Sequence, residues 1–285
     1  MCYVNCNLCP RRCGVDRTGG KTGFCGASDK MLVAKAMLHK WEEPALAGTG
    51  GSGAIFFGGC TLGCSYCQNR AISKRPVGEE VSARQLRKIM EDLIAQGAEN
   101  IDLVTPTHYL PGILPALTPK LPVPVVYNCG GYERVETLQQ LSGKVDIYLP
   151  DMKYADDGLA KMLSGAADYF SVAGAAIAEM VAQTGPVQWE NGRIVKGVII
   201  RHLILPGFLE NSLKVLDWIG QTFPPKTVLV SLMRQYTPMG GLSAPLNRPI
   251  TEEEYQAVLS WMYLNGLDGF TQDAASATAA YIPNF

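Results

Sequence analysis

Residues 54–70 read Ala54-Ile55-Phe56-Phe57-Gly58-Gly59-Cys60-Thr61-Leu62-Gly63-Cys64-Ser65-Tyr66-Cys67-Gln68-Asn69-Arg70. The stretch begins as a short apolar run, which is typical of a buried strand, and it breaks at two glycines. Three cysteines follow with C-x3-C-x2-C spacing. Three thiolates are one short of the four that complete a structural zinc site or a ferredoxin cluster. The spacing therefore predicts a cluster that keeps one iron open for a small molecule.

Composition sets the broad class of the protein. The chain has 285 residues, which is enough for one large or two modest domains, and 47% of them are hydrophobic. The 25 basic and 26 acidic residues nearly cancel, and no basic run indicates nucleic-acid binding. Uncharged apolar runs are too short to span a membrane, and residues 1–6 lack the features of a signal peptide. We therefore expect a soluble, cytoplasmic protein.

The cysteines cluster in the first quarter of the chain. Eight of the nine lie within the first 67 residues, and only Cys129 comes later. Without a secretion signal, this distribution favours metal sites over a disulfide framework. A glycine-rich segment without apolar periodicity carries four of them, namely Cys6, Cys9, Cys13 and Cys25. This set predicts a second metal site, either tetrahedral zinc or an auxiliary iron–sulfur cluster, with free thiols on a loop as the alternative.

Two triplets share the same spacing, because Cys2, Cys6 and Cys9 also fit C-x3-C-x2-C. The first triplet follows no strand, whereas the second follows a buried strand and opens a series of strands and helices. We therefore place the open cluster at Cys60, Cys64 and Cys67. The domain division that follows is a cysteine-rich N-terminal metal-binding segment with its linker at residues 1–52 and a partial barrel at residues 53–285.

From residue 54 onward, strands and helices alternate. Continuous apolar runs predict parallel strands at residues 54–58, 101–105, 124–128, 145–149, 197–205 and 227–233, and residues 31–38 form a further short candidate. Capping boxes at Ser82/Gln85 and Thr251/Glu254 predict helix starts. Residues 151–196 have room for two helices around Gly165 and Gly174. Six βα units predict an α/β fold, either an open, partial TIM-like barrel or a doubly wound sheet.

The cysteine loop resembles the cluster loop of the radical S-adenosylmethionine (radical SAM) superfamily, including the aromatic Tyr66 before the last cysteine. This resemblance implies that Cys60, Cys64 and Cys67 hold a catalytic [4Fe–4S] cluster. It also implies that the amino and carboxylate groups of SAM chelate the fourth iron. Radical SAM cores are typically partial (β/α)6 barrels, so the resemblance favours the TIM-like barrel. In α/β barrels, functional residues gather at the C-terminal ends of the strands.

The segment after the second barrel strand is Thr105-Pro106-Thr107-His108-Tyr109. Glycyl-radical activating enzymes usually carry a Gly-Gly-Glu-type turn here, which contacts the amino group of SAM, and this chain departs from that pattern. Thr105 and Thr107 are candidates to supply hydroxyl or backbone oxygen. His108 is a candidate acid–base group or ligand; alternatively, the turn is simply rigid and His108 is structural.

The segment after the third barrel strand is Tyr127-Asn128-Cys129-Gly130-Gly131 and resembles the Thr-Asn-Gly segment of activating enzymes. The resemblance makes Asn128 a SAM-binding candidate. Gly130 and its neighbour would let the backbone approach SAM closely. Cys129 is either a small buried apolar residue or a redox-active thiol.

Charged residues mark the next two strand ends. Asp151 and Lys153 resemble the Asp-x-Lys motif that positions SAM in pyruvate formate-lyase activating enzyme, and an acid–base pair suits a zwitterion. Arg201 resembles the arginine that contacts the SAM carboxylate or ribose, since a guanidinium offers a planar donor fork. The alternatives are a helix cap at Asp151 and an ion pair of Arg201 with Asp146 or Asp151. His202 is expected to be structural, and Arg234, Gln235 and Tyr236 are candidates for the substrate side.

Across nearly the whole chain the pattern most resembles the PflX-type branch of radical SAM proteins, relatives of pyruvate formate-lyase activating enzyme. The resemblance implies an oxidoreductase that is reduced by flavodoxin or ferredoxin and cleaves SAM to a 5′-deoxyadenosyl radical for hydrogen abstraction. A glycyl-radical enzyme is one candidate substrate protein. The alternatives are radical modification of a peptide, RNA or small molecule, and a non-enzymatic iron–sulfur protein for electron transfer or redox sensing.

Overall fold

The computed structural model describes residues 3–273, 283 and 285, and it is built on a ten-stranded sheet. The strands are β1 Met31–His39, β2 Ser52–Phe57, β3 Glu79–Val81, β4 Asn100–Val104, β5 Val125–Cys129, β6 Ile147–Pro150, β7 Gln188–Glu190, β8 Arg193–Leu203, β9 Leu229–Met233 and β10 Gly269–Thr271. The helices are α1 Pro44–Ala47, α2 Arg70–Ser73, α3 Ala83–Ala95, α4 Leu110–Ile113, α5 Val135–Leu138, α6 Asp157–Ser164, α7 Tyr169–Thr184, α8 Leu209–Thr222 and α9 Glu252–Leu264.

Strand order decides between the two predicted architectures. Six strands, β2, β4, β5, β6, β8 and β9, are parallel and lie side by side in chain order. A doubly wound sheet would reverse its order at a switch point. The sequential order confirms the predicted partial (β/α)6 TIM-like barrel, and all six predicted strands are present. Strands β1 and β3 extend the sheet antiparallel on one side, and β10 extends it parallel on the other.

The helix starts agree with the capping patterns. Ser82 caps α3 and Thr251 caps α9, and each forms a reciprocal capping box with the residue three positions later. Gly165 ends α6 in the left-handed conformation. Gly174, however, lies inside α7, where a β-carbon would sit 3.3 Å from the Trp218 ring, so close packing explains this glycine. No helix in residues 3–273 has both the length and the apolar composition needed to cross a membrane.

The predicted boundary between residues 52 and 53 falls inside β2. Strand β1 pairs with β2 along its length, from His39 opposite Ser52 to Val33 opposite Phe57. A β-carbon on Gly53 would lie 2.9 Å from the Ile101 side chain, so this glycine permits close strand packing. The N-terminal segment is therefore continuous with the barrel sheet through β1.

Candidate functional site

A cavity lies at the C-terminal ends of the parallel strands, where α/β barrels carry their active sites. It encloses about 1060 Å³ of space between atoms, including its open mouth. Its walls contain the predicted residues Cys60, Cys64, Tyr66, Cys67, Thr105, Thr107, Asn128, Gly130, Asp151, Lys153 and Arg201. We call it the cysteine cavity. The fold thus brings together every predicted cluster and SAM residue of the barrel except His108.

Two glycines turn the chain from β2 into the cysteine loop, residues 58–69. A β-carbon on Gly58 would lie 2.3 Å from the carbonyl oxygen of Val77. Gly59 has a φ of +93°, and a β-carbon there would lie 2.7 Å from the carbonyl oxygen of Cys25. Only glycine fits both positions without backbone movement. The turn places Cys60 directly at the strand end.

The three loop thiols are close enough to affect one another. Burial and the charges of Cys64 and Cys67 raise the pKa of Cys60 to about 12. Burial and Cys64 also raise the pKa of Cys67. The Leu62 amide donates to the Cys60 sulfur at 3.3 Å, and the Ser164 hydroxyl donates to the Cys64 sulfur at 3.1 Å. Thiolates in this setting need positive charge beside them, which the irons of a cluster supply, so these residues fit a [4Fe–4S] cluster.

The four predicted N-terminal ligands also lie near one another. Cys6, Cys9 and Cys25 are buried, and Cys13 is partly buried. Burial chiefly raises the pKa of Cys9 to about 12, with contributions from the charges of Cys25 and Cys13. All eight cysteines of the described residues are free thiols, and Cys2 lies outside them. In the described part of the chain, no three His, Cys, Asp or Glu side chains are placed to hold a single metal ion. In a cluster, by contrast, the thiolates bind different irons.

Two arginines fasten the N-terminal segment to the barrel. Arg11 donates to the carbonyl oxygens of Thr61 at 3.0 Å, Leu62 at 3.1 Å and Ser164 at 2.8 Å. Arg17 is completely buried and donates to the carbonyl oxygen of His108 at 2.6 Å. The N-terminal segment therefore packs directly on the cysteine loop and on the turn that follows β4. The sequence pattern gave no sign of these contacts.

The charged strand ends form one connected group. The Lys153 ammonium lies 2.6 Å from one oxygen of Asp151, and Arg201 Nε donates to the other at 3.2 Å. Arg201 Nη2 also donates to Asn128 Oδ1 at 2.5 Å. Burial alone would raise the pKa of Asp151, but the charges of Lys153 and Arg201 lower it overall. Two cations and one carboxylate give these three side chains one excess positive charge, and Arg201 Nη1 also lies 3.7 Å from a Glu42 oxygen. Asp151 does not cap α6, which Asp156 caps instead.

The site also contains a buried glutamate that no sequence pattern indicated. Glu133 is 2% exposed and lines the cysteine cavity. Its Oε1 accepts a hydrogen bond from the Thr107 hydroxyl at 2.7 Å, whereas Oε2 has no partner in the described structure. Burial raises its pKa to about 8. Its only sequence signal is its position after the β5 strand-end segment. Thr105 has a φ of +57°, and its backbone amide donates a hydrogen bond to the Asn128 carbonyl oxygen, which holds the neighbouring turn.

Three other candidates are buried. His108 is 1% exposed, its Nε2 lies 2.8 Å from the Gly58 carbonyl oxygen, and it is absent from the cavity wall. The structural alternative, rather than an acid–base role at the cavity, therefore fits His108. His202 is buried between the Met152 carbonyl and the Ser212 hydroxyl, as expected. Cys129 lines the cavity, but burial raises its pKa well above the usual value, so it is a protonated thiol.

The aromatic and substrate-side candidates divide into residues that line the cysteine cavity and one residue that does not. Tyr66 lines the cavity, and its hydroxyl accepts from Tyr154 at 2.8 Å. Gln235 and Tyr236 also line the cavity. Arg234 does not, because its guanidinium pairs with Glu252 at 2.8 Å.

Comparisons with known proteins agree with this geometry. Residues 46–105 match the family model described as a 4Fe-4S single cluster domain. An uncharacterized protein of Methanocaldococcus jannaschii is 29% identical over 281 residues, which cover 93% of this chain and 76% of that protein.

Solved structures share the fold. SuiB of Streptococcus suis, bound to its precursor peptide SuiA, matches with a TM-score of 0.54 and 14% identity over 78% of this chain and 48% of its own. A radical SAM methyltransferase from Sphaerobacter thermophilus matches with a TM-score of 0.54 and 15% identity over 77% of this chain and 65% of its own. This chain thus spans about half to two thirds of the length of these two structures, and it has the barrel fold of radical SAM enzymes.

Proposed function

We propose that this protein is a radical SAM enzyme that holds a [4Fe–4S] cluster on Cys60, Cys64 and Cys67. The observation that carries the proposal is the single cavity into which the three thiols and the charged strand-end groups converge. When bound, the reduced cluster and SAM supply a 5′-deoxyadenosyl radical, which removes a hydrogen atom from a substrate C–H bond. The cofactors supply the difficult chemistry, and the barrel supplies position and shelter from water.

The electrostatics of the cavity suit the methionine end of SAM. The Lys153–Asp151–Arg201 group carries one excess positive charge and is the counterpart for the SAM carboxylate. Glu133, with its unpartnered oxygen, is the counterpart for the SAM amino group. Where activating enzymes use a Gly-Gly-Glu-type turn, this chain therefore uses the Thr107 hydroxyl to orient Glu133. The Tyr66 ring and Gly130 line the same wall.

The substrate is the molecule that loses the hydrogen atom, and we infer that the C–H bond lies in a protein or a small molecule. One such reaction is the activation of a glycyl-radical enzyme, as in pyruvate formate-lyase activating enzyme. The second is the modification of another peptide, an RNA or a small molecule. Flavodoxin or ferredoxin is the proposed reductant, and the cytoplasm is the proposed location. A non-enzymatic electron carrier is less well supported, because it has no use for a charged SAM-sized cavity.

The N-terminal cysteines are proposed to hold a second metal centre; of the two candidates, an auxiliary iron–sulfur cluster agrees better than a single zinc ion with the placement of the described side chains. Their fit rests on four neighbouring sulfurs and on the Phe24 amide, which donates to the Cys13 sulfur at 3.3 Å. Because Arg11 and Arg17 tie this segment to the cysteine loop, a metal there would stiffen the support of the SAM site.

Anaerobic reconstitution tests the proposal. The full chain is loaded with iron and sulfide, reduced with dithionite and given SAM, and 5′-deoxyadenosine, iron and zinc are then measured. We expect deoxyadenosine together with about four irons and one zinc, or about eight irons if the N-terminal centre is a cluster. A fully loaded protein that forms no deoxyadenosine under any reductant would contradict the enzyme proposal and favour electron transfer or sensing.

A further inference from the structure

A second cavity adjoins the cysteine cavity inside the barrel. Glu42, Glu43, Trp41, Phe56, Ser231 and Phe270 line it, and we call it the acidic cavity. Asn128, Arg201 and Gln235 line both cavities, so these residues form the boundary between them. A molecule seated in the acidic cavity would face the SAM site across Arg201 and Asn128.

The segment between β1 and α1 places Glu42 and Glu43 at the acidic cavity. They lie between β1 and α1, and Ala45 and Leu46 of α1 pack against the apolar residues that fill the barrel interior. The Asn100 side chain fixes this short helix by donating to the Leu46 carbonyl at 2.8 Å. Glu43, immediately before the helix, is only 8% exposed.

Three carboxyl groups and one guanidinium meet at this place, and burial raises the pKa of Glu42, Glu43 and Asp102, so an added cation would favour their ionised forms. Asp102, 1% exposed, lies behind Asn128, whose amide donates to it at 3.2 Å, and it adds a third carboxyl to Glu42 and Glu43. The facing cation is Arg201, whose Nη1 lies 3.7 Å from Glu42 but which bonds Asp151 more closely. His39 lies 3.9 Å from Glu42, and burial, together with the charge of Arg201, lowers its pKa, so it is neutral near pH 7.

Two carboxyl oxygens in this group lack any hydrogen-bond partner in the described structure, namely Glu43 Oε2 and Asp102 Oδ1. A buried carboxyl oxygen without a partner is costly. Glu43 lines the acidic cavity whereas Asp102 does not, so the Glu43 oxygen marks the place where a ligand donor is missing. The remaining wall is partly aromatic, through Trp41, Phe56 and Phe270. Carboxyls combined with aromatic faces suit an organic cation that carries an apolar carbon chain.

We propose that the acidic cavity binds a substrate through an ammonium or guanidinium group held by Glu43 and Glu42, with the carbon chain directed past Arg201 towards the SAM site. The substrate class is therefore an organic cation, either a free amine or the side chain of a lysine or arginine in a peptide. This inference rests on the proposed function, because it assigns the hydrogen donor for the same site.

Binding to the full-length holoprotein, without reductant, tests the charge preference. The probes are n-pentylammonium, n-pentanol and pentanoate, titrated calorimetrically at matched ionic strength. We expect the ammonium to bind about tenfold more tightly than the alcohol, the effect of one charged hydrogen bond, and pentanoate not to bind. Capped lysine amide, as a fourth probe, separates the sources: tighter binding than n-pentylammonium indicates a peptide side chain, and weaker binding indicates a free amine.

Variants locate the site. Glu43→Gln should weaken ammonium binding about tenfold. Glu79 is an exposed acid on β3, and Glu79→Gln should leave the affinity unchanged. Thermal melting checks that both variants are folded, and the preference measured on the unsubstituted protein does not depend on them. Equal binding of ammonium and alcohol, or unchanged affinity in a folded Glu43→Gln variant, would overturn the inference. Selective ammonium binding without any deoxyadenosine formation would instead contradict only the proposed function, since the two measurements are independent.

Discussion

The two cysteine groups of this chain both combine two-residue and three-residue spacers between cysteines, but they differ in their surroundings. Cys60, Cys64 and Cys67 follow a buried parallel strand and line an open cavity. Cys6, Cys9, Cys13 and Cys25 follow no strand, and none of them lines that cavity. The first group faces a space large enough for a ligand, whereas the second is packed against the barrel by Arg11 and Arg17. Position in the fold, rather than spacing, therefore distinguishes the proposed reactive centre from the proposed supporting one.

The largest expected difference in SAM cleavage is between the Cys64→Ala and Cys13→Ala variants. Loss of Cys64 removes a proposed cluster ligand, so deoxyadenosine formation should fall about 10³-fold or more, as when an essential catalytic group is lost. Cys13→Ala should retain SAM cleavage per loaded cluster, with lower thermal stability or N-terminal metal content. The assay measures deoxyadenosine per iron–sulfur cluster. If Cys64→Ala kept SAM cleavage while Cys6→Ala lost it, the roles of the two groups would be reversed.

The support assigned to the N-terminal segment predicts a large loss of stability on removal of Arg17. Arg17→Ala leaves the carbonyls of His108 and Ser28 without their donor, so the free energy of unfolding should fall by roughly 3–5 kcal/mol. Urea unfolding measures this change. The matched control is Lys21→Ala, an exposed residue of the same segment, which should stay within about 0.5 kcal/mol. Equal stabilities of the two variants would mean that the segment does not support the barrel.

Glu133 lies between the two cysteine groups, since it lines the cavity and its charge also acts on Cys9. With its pKa raised to about 8 by burial, the side chain is protonated at neutral pH and gains its charge as the pH rises. SAM affinity should therefore strengthen about tenfold between pH 7 and pH 9. Glu133→Gln should remove this increase, and SAM binding followed by calorimetry at each pH measures it. An identical pH profile in both proteins would show that Glu133 does not contact the amino group.

The smallest effect concerns the hydrogen bonds to the loop sulfurs. Ser164 donates to the Cys64 sulfur at 3.1 Å, and such bonds raise the reduction potential of a cluster by stabilising its more negative state. Ser164→Ala should lower the potential by an amount on the order of tens of millivolts. Ser73→Ala should change it less, because the Ser73 hydroxyl lies 3.6 Å from the Cys67 sulfur. Redox titration followed by electron paramagnetic resonance measures both, and a larger shift for Ser73→Ala would contradict this ranking.

The sequence was informative wherever a local pattern determines the structure. Continuous apolar runs marked the six parallel strands because both faces of such strands are covered. Ser82 and Thr251 marked helix starts because a capping box is complete within four residues. Candidate site residues were found at strand ends because parallel strands bring those ends to one edge of the barrel.

Contacts between distant parts of the chain could not be predicted in this way. Arg11 bonds Ser164, which is 153 residues away, and Arg17 bonds His108, which is 91 residues away. The role proposed for Glu43 depends on how α1 packs within the barrel, and the role proposed for Glu133 depends on its burial. Neither burial nor partner identity has a local sequence signature. The same reason explains His108, whose strand-end position indicated the cavity although its side chain lies beneath the Gly58–Gly59 turn.

The two outer strands of the sheet have a consequence for self-association. Within the described residues, the sheet finishes with β3 on one side and β10 on the other, and each is three residues long. β3 exposes Glu79 and Glu80, the second of which pairs with Lys30 at 3.0 Å. Both edge strands are short, and β3 is also charged, so they give a neighbouring molecule little backbone with which to continue the sheet. The barrel can thus stay open while its described sheet edges give edge-to-edge association little support.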